Sequence, residues 1–155
     1  MKFYVIIATM IFVIDQVAKQ LVRGNLALNE SVTAIGGVLN FTHITNSGAA
    51  FGIMGGLTWL LILLSVLIIG GVIYIIEKRR IDCVWQKLGL AFTLGGALGN
   101  LFDRIVLGSV VDFLDISPLF NFAVFNIADI FIVVGAVILI ITIIFTRKEK
   151  TEDGL

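Results

Sequence analysis

"LTWLLILLSVLIIGGVIYIIEKRR", residues Leu57 to Arg80, runs to Ile76 without a charged side chain and then meets Glu77, Lys78, Arg79 and Arg80. Crossing the hydrocarbon core of a bilayer takes roughly 20 mostly apolar helical residues. The stretch Leu57 to Ile76 therefore reads as a transmembrane helix that stops at a basic membrane boundary. Three more runs qualify on either side of it: Phe3 to Leu21, Leu88 to Phe102 and Ile127 to Phe145. The whole chain agrees, since 59% of its 155 residues are hydrophobic, 14% are charged and the mean hydropathy is +1.08. The expected fold class is a membrane all-α, four-helix transmembrane bundle, forming one integral membrane domain over residues 1–155.

Four crossings put both termini on one side, and the basic residues indicate which. Lys2 precedes the first span, Lys78, Arg79, Arg80 and Lys87 fill the link between the second and third, and Arg147, Lys148 and Lys150 follow the fourth. Eight of the eleven Lys and Arg thus lie on one face, which the positive-inside rule makes cytoplasmic. Segments 24–56 and 104–125 then face outward. The formal net charge of zero gives no sign of a nucleic-acid partner. Met1 to Met10 has the basic start and apolar run of a secretory signal, but Asp15 interrupts the run and no small-x-small site follows, so a retained span is expected. The single Cys83 and the single His43 provide neither an internal disulfide nor a zinc cluster.

At 1.5 Å rise per helical residue, the polar positions inside the spans share a depth. Asp15 and Lys19 lie roughly 20 and 26 Å above the cytoplasmic boundary, Asn100 roughly 20 Å, Asp103 and Arg104 roughly 24 to 26 Å, and Asp129 roughly 27 Å. This is the outer third of a core about 30 Å thick. Within each helix these residues are three or four apart and so share a face. Ionisable groups at such depth are costly and mark a functional site by default. Asp15 with Lys19, and Asp103 with Arg104, also read as ion pairs that merely hold helices together or snorkel to the headgroups. Asp112 and Asp129 have no spare basic neighbour in sequence to neutralise both.

Asp112 stands in a β-branched stretch after Gly108, suited to a short strand or loop folding back over the third helix. Asp129 begins the fourth helix. If the two approach, one carboxylate can activate water while the other, protonated, polarises a carbonyl, sharing one proton as in aspartic-protease catalysis. Ser47 and Lys19 are a poorer serine-lysine dyad, because Ser47 is followed by Gly48, Ala49 and Ala50. "VLNFTHITN", Val38 to Asn46, reads as a strand, and with "NFAVFN" at Asn121 to Asn126 it would build a small sheet above the acidic layer. His43 is expected to be a surface polar residue. Gly36, Gly37, Gly55 and Gly56 flank this region as points of possible movement.

Four motifs, in order along nearly the whole chain, resemble the bacterial lipoprotein signal peptidases, or signal peptidase II: "DQVAK" at Asp15 to Lys19, "NSGAAFG" at Asn46 to Gly52, "GGALGNLFDRIVLGSVVDF" at Gly95 to Phe113, and "FNIAD" at Phe125 to Asp129. Ala18 stands where many members carry Ser or Thr. The resemblance implies four transmembrane helices with a small extracytoplasmic β-cradle and a mobile loop. It implies Asp112 and Asp129 as the catalytic dyad, Asn46, Asn100, Arg104 and Asn126 as substrate-binding residues, and Asp15, Lys19, Asp103 and Ala128 as their support. No metal or other cofactor is implied. The implied substrate is a diacylglyceryl-prolipoprotein cut before its lipidated cysteine, in contact with membrane lipid, with globomycin-type inhibitors blocking the site. A monomer in the bacterial cytoplasmic membrane is expected, its active site near the outer face. The alternative from another class is a small proton-coupled membrane carrier that uses intramembrane carboxylates.

Overall fold

The computed structural model describes residues 2–48, 56–79 and 81–152, with side chains as far as residue 145. Among these the chain forms four helices and three strands, in the order α1 (Lys2–Asn25), β1 (Ser31–Ile35), β2 (Leu39–Asn46), α2 (Thr58–Lys78), α3 (Val84–Leu107), β3 (Val110–Asp115) and α4 (Ile127–Glu152). All four helices are long and apolar enough to cross a membrane. Their outer surfaces expose Leu67, Ile105, Val133 and Ile144 by more than half, a side-chain distribution that suits lipid and not water.

The helix α3 is central and the most buried of the four, packing against α1, α2 and α4. Its small residues make this possible. A Cβ on Gly95 would meet Ile11 Cβ at 2.8 Å, one on Gly96 would collide with the Ala128 carbonyl, and one on Gly99 would sit 2.6 Å from Asp15 Oδ2. Such small-residue faces let membrane helices approach closely where no water drives them together. Tyr4, Ala8, Val72, Leu90, Ala91 and Leu94 form the apolar core toward the basic end. The polar layer lies at the opposite end.

The spans run longer than hydropathy predicted. Helix α3 continues past Phe102 to Leu107, so Arg104 is helical and the outward segment expected from 104 begins instead at Gly108. Termination there is a backbone event: Gly108 takes φ +75° and its N–H bonds Arg104 O at 3.2 Å, a left-handed cap that a residue with a side chain adopts at a cost. The turn sends the chain back over α3 as β3.

The sheet is antiparallel with order β1-β2-β3. The expected strand at Val38 to Asn46 is present as β2, and the stretch containing Asp112 is β3. The expected strand at Asn121 to Asn126 is not formed; only Phe125 makes an isolated bridge, to Leu114. The sheet instead gains β1, joined to β2 through Gly36 and Gly37, the latter at φ +69°. Ala49, Ala50, Phe51, Gly52, Gly55 and Arg80, which figured in the sequence expectations, lie outside the described residues.

Candidate active site

The floor of the site is an ion cluster between α1 and α3. Asp15 and Lys19, one turn apart, are both essentially inaccessible. Lys19 Nζ pairs with Asp15 Oδ2 at 2.8 Å and Asp103 Oδ2 at 3.0 Å, and donates to Asn100 Oδ1 at 3.1 Å. Its three protons therefore have three acceptors. Gln16 Nε2 bonds Asp103 Oδ1 at 3.0 Å and reaches Asp15 Oδ2 and Gly99 O at 3.2 and 3.3 Å. Sequence reasoning did not single out Gln16; an amide inside an apolar helix beside Asp15 was the available signal. The suggested Asp103 and Arg104 pair is replaced by Asp103 and Lys19, because adjacent helical residues point about 100° apart. Asp103 also accepts the Val111 N–H at 3.2 Å, which ties β3 to α3.

The first turn of α4 closes the layer. Asn126 Oδ1 accepts the Asp129 N–H at 2.9 Å, and Asp129 Oδ2 accepts the Asn126 N–H at 3.2 Å. This reciprocal pair is a capping box in an Asn-x-x-Asp form. Asp15 Oδ1 accepts the Ala128 N–H at 2.9 Å. The Ala128 and Asp129 N–H groups, orphan donors of the helix start, are thus used by side chains of the site, and the positive end of the α4 dipole lies among its carboxylates.

Asp112 and Asp129 are bridged by two amides. Asn126 Nδ2 donates to Asp112 Oδ1 at 2.7 Å and to Asn100 Oδ1 at 3.2 Å, while Asn100 Nδ2 donates to Asp129 Oδ1 at 2.7 Å. Asn46 Nδ2 holds the other Asp112 oxygen at 2.9 Å. Burial pushes the Asp112 carboxyl up to about 6; the Asn46 bond opposes the rise and the nearby Asp129 charge adds to it. Both carboxylates line a pocket of about 440 Å³ whose wall is otherwise largely apolar, with Phe122, Val124 and Phe125 on one side and Ile130, Val133 and Val134 along α4. Arg104 lines it too. Its guanidinium makes long bonds to Asn100 O (3.5 Å) and Gly48 O (3.4 Å), lies within electrostatic reach of Asp129 and Asp112, and keeps a buried Nε without a partner among the described residues.

The model of the family described as Signal peptidase (SPase) II matches residues 7–145. The chain belongs to the signal peptidase II family. It is 36% identical over 149 residues to the lipoprotein signal peptidase of Enterococcus faecalis, covering 96% of this chain and 92% of that one. It is 41% identical to the lipoprotein signal peptidase of Trichormus variabilis, covering 99% and 94%. A bacterial membrane enzyme solved by the in meso method at 2.3 Å superposes with a TM-score of 0.91 at 29% identity, over 97% of this chain and 92% of that chain. As a signal peptidase II, the chain is a multi-pass bacterial membrane peptidase.

Within this signal peptidase II fold, all ten site residues named from sequence fall in one layer. Asp15, Lys19 and Asp103 form its floor, Ala128 gives it a backbone donor, and Asn46, Asn100, Arg104, Asn126, Asp112 and Asp129 surround or bridge the pocket. Ser47 and Lys19 do not form a dyad: Ser47 is exposed, and Lys19 is committed to the ion cluster. His43 is buried and not a surface residue, its Nδ1 bonded to Leu26 O at 2.9 Å. No three His, Cys, Asp or Glu side chains converge among the described residues.

Proposed function

We propose that this protein is a lipoprotein signal peptidase that cuts diacylglyceryl-prolipoproteins on the N-terminal side of the lipidated cysteine, with Asp112 and Asp129 as an aspartic dyad. The observation that carries the reading is that two carboxylates, cross-linked by Asn126 and Asn100, line one apolar pocket. Like charges so placed resist double ionisation, and a shared proton leaves one base and one acid. The base takes a proton from water as it attacks the scissile carbonyl, while the acid protonates the carbonyl oxygen; the former base then gives its proton to the leaving amine as the C–N bond breaks, and a gem-diol hydroxyl returns one to the former acid, which restores the shared proton. The α4 helix start supplies a field that favours the ionised member.

The basic residues at Lys2, in 78–87 and after Phe145 support a cytoplasmic location for both termini and a pocket near the outer face. A diacylglyceryl group stays in lipid, so the bond beside the modified cysteine lies at that depth. The signal helix unwinds there, and its freed backbone groups need partners. Asn46, Asn100 and Asn126 offer donors and acceptors, and Arg104 donors only. Ile130, Val133 and Val134 extend the pocket wall toward membrane lipid, where acyl chains remain. Globomycin-type cyclic peptides occupy the same pocket. One chain, as a single domain, supplies every group named, so it works as a monomer.

A carrier would need its acidic layer open to both sides in turn. Here the carboxylates lie at one end, above an apolar core of Tyr4, Ala8, Leu90 and Leu94, which favours cleavage. The test is incubation of the purified protein in detergent with a synthetic diacylglyceryl-prolipoprotein, beside the unlipidated peptide and the Asp112→Asn variant. Cleavage of the lipidated peptide alone, lost in Asp112→Asn, is expected. Cleavage that survives in Asp112→Asn overturns the dyad.

A further inference from the structure

The register between β2 and β3 breaks once. Asn40 and Phe41 face Asp115 and Leu114, whereas Ile44, Thr45 and Asn46 face Asp112, Val111 and Val110. Thr42 and His43 therefore both stand opposite Phe113, a β-bulge that adds one residue to β2. With the bulge, Asn46 lies opposite Val110 and shares a sheet face with Asp112. Extending the register of Asn40 and Phe41 without the break would put Asn46 opposite Ser109 and turn its amide to the other face. The 2.9 Å bond from Asn46 to Asp112 depends on where that extra residue falls.

The bulge is pinned from both sides. Thr42 Oγ1 donates to Asp115 Oδ2 at 3.0 Å and lies 2.8 Å from Ser31 Oγ, its cross-strand neighbour on β1. Asp115 Oδ1 accepts the Ser117 N–H at 2.9 Å, so one carboxylate joins β2, β3 and the segment that follows. Thr42 and Asp115 are both more than nine-tenths buried. His43 turns away from β3: its N–H bonds Glu30 O at 2.9 Å and its carbonyl accepts from Asn29 at 2.7 Å. Thr42 is thus held in the first register, which forces the extra residue to be His43.

We propose that Asp115 is a positioning residue: by holding Thr42 at the bulge it sets the strand register that brings the Asn46 amide onto Asp112. The inference rests on the reading of Asp112 as a reacting carboxylate. Asp115 acts on the reaction only through Asn46.

Two measurements test it. Cleavage of a diacylglyceryl-prolipoprotein is compared for Asp115→Ala, the near-isosteric Thr42→Val, Asn46→Ala and the doubles with Asn46→Ala. Each single change is expected to lower kcat/KM by about tenfold or more, the scale of a hydrogen bond to a charged group. In the Asn46→Ala background the other two should add little, because they share one pathway. Register is read without activity by Thr45→Cys with Val111→Cys in a Cys83→Ser chain. The disulfide forms in the otherwise native protein and is lost when Asp115→Ala or Thr42→Val is added, since bridging needs directly opposed positions. Full additivity with Asn46→Ala, an Asn46→Ala variant of native activity, or a disulfide that persists would each overturn the proposal. A native chain that forms the disulfide but cleaves no substrate would count against the peptidase reading alone.

Discussion

Asp15 on α1 caps α4: its Oδ1 accepts the Ala128 N–H at 2.9 Å while its Oδ2 pairs with Lys19 at 2.8 Å. Residues 113 positions apart in sequence are so joined by one fully buried carboxylate, which serves both the ion cluster and the helix that carries Asp129. The support of the site and its reacting layer are therefore a single hydrogen-bonded unit, continued through Lys19 to Asn100 and from Asn100 to Asp129.

Removing Asp15 should consequently be more damaging than the loss of one ion pair. Asp15→Ala leaves Lys19 buried with Asp103 as its remaining carboxylate and strips the cap from Ala128. Breaking a buried pair in this way costs about 3–5 kcal/mol, and thermal unfolding in detergent should show a correspondingly lower midpoint. Asp15→Asn keeps an oxygen for the Ala128 N–H and should fall between Asp15→Ala and wild type. Equal midpoints for Asp15→Asn and Asp15→Ala would mean that the cap contributes nothing.

Close helix approach predicts a contrast between glycines. At Gly99 a methyl group would sit 2.6 Å from Asp15 Oδ2 and 3.3 Å from Ala128 Cβ, so Gly99→Ala pushes α1 and α4 off α3. Overpacking of this kind costs about 1–3 kcal/mol, and here it also disturbs the cluster, so activity should drop with stability. Gly70 and Gly71 on α2 have nothing within 4 Å of an added Cβ. Gly71→Ala should leave both unchanged, as unfolding and cleavage assays run side by side would reveal.

Much of this architecture is legible in the sequence because a run such as Leu57 to Ile76 has one physical solution in a bilayer. The helix ends are less legible, since hydropathy fades at Phe102 while the backbone stays helical until Gly108 caps it. Strand β1, "SVTAI", is exposed at all five residues, so no alternation announces it. "NFAVFN" sets four apolar residues between two asparagines, as a short strand would, yet turns Phe122 and Phe125 to the pocket and makes, among the described residues, one bridge to β3. Spacing placed Asp15 with Lys19, and Asn100 with Asp103 and Arg104, on shared faces. It gave no means of knowing that Lys19 would take both carboxylates and leave Arg104 to the pocket, because that choice is made between helices.

If Asp112 and Asp129 share the chemistry, each neutral amide should fail alone. Asp112→Asn and Asp129→Asn are expected to lower kcat by at least the ~10²- to 10⁴-fold typical of a lost general acid or base, with KM little changed. The double variant should be hardly worse than either single one, because groups that act as a unit are not additive. Single-turnover cleavage by the folded variants measures this directly. Multiplicative losses would show two independent roles.

The buried Asp112 also makes stability depend on pH in a definite direction. Its carboxyl is raised to about 6 by burial, with the neighbouring Asp129 charge adding to the rise and the Asn46 and Asn126 amides opposing it. The native state therefore binds this proton more tightly than the unfolded chain, whose value lies near 3.8. Stabilisation from the neutral form is fully present below about 3.8, falls as pH rises toward 6, and is absent above. Asp112→Asn carries no charge at any pH, so it should melt higher than wild type above pH 6, and the advantage should shrink as the pH is lowered toward 4. Asn46→Ala removes a donor that favours the ionised carboxylate and should widen that advantage and raise the pH at which it levels off. Thermal unfolding of the three proteins in one detergent between pH 4 and 8 measures both effects; an Asp112→Asn advantage that grows on acidification would reverse the sign and refute the argument.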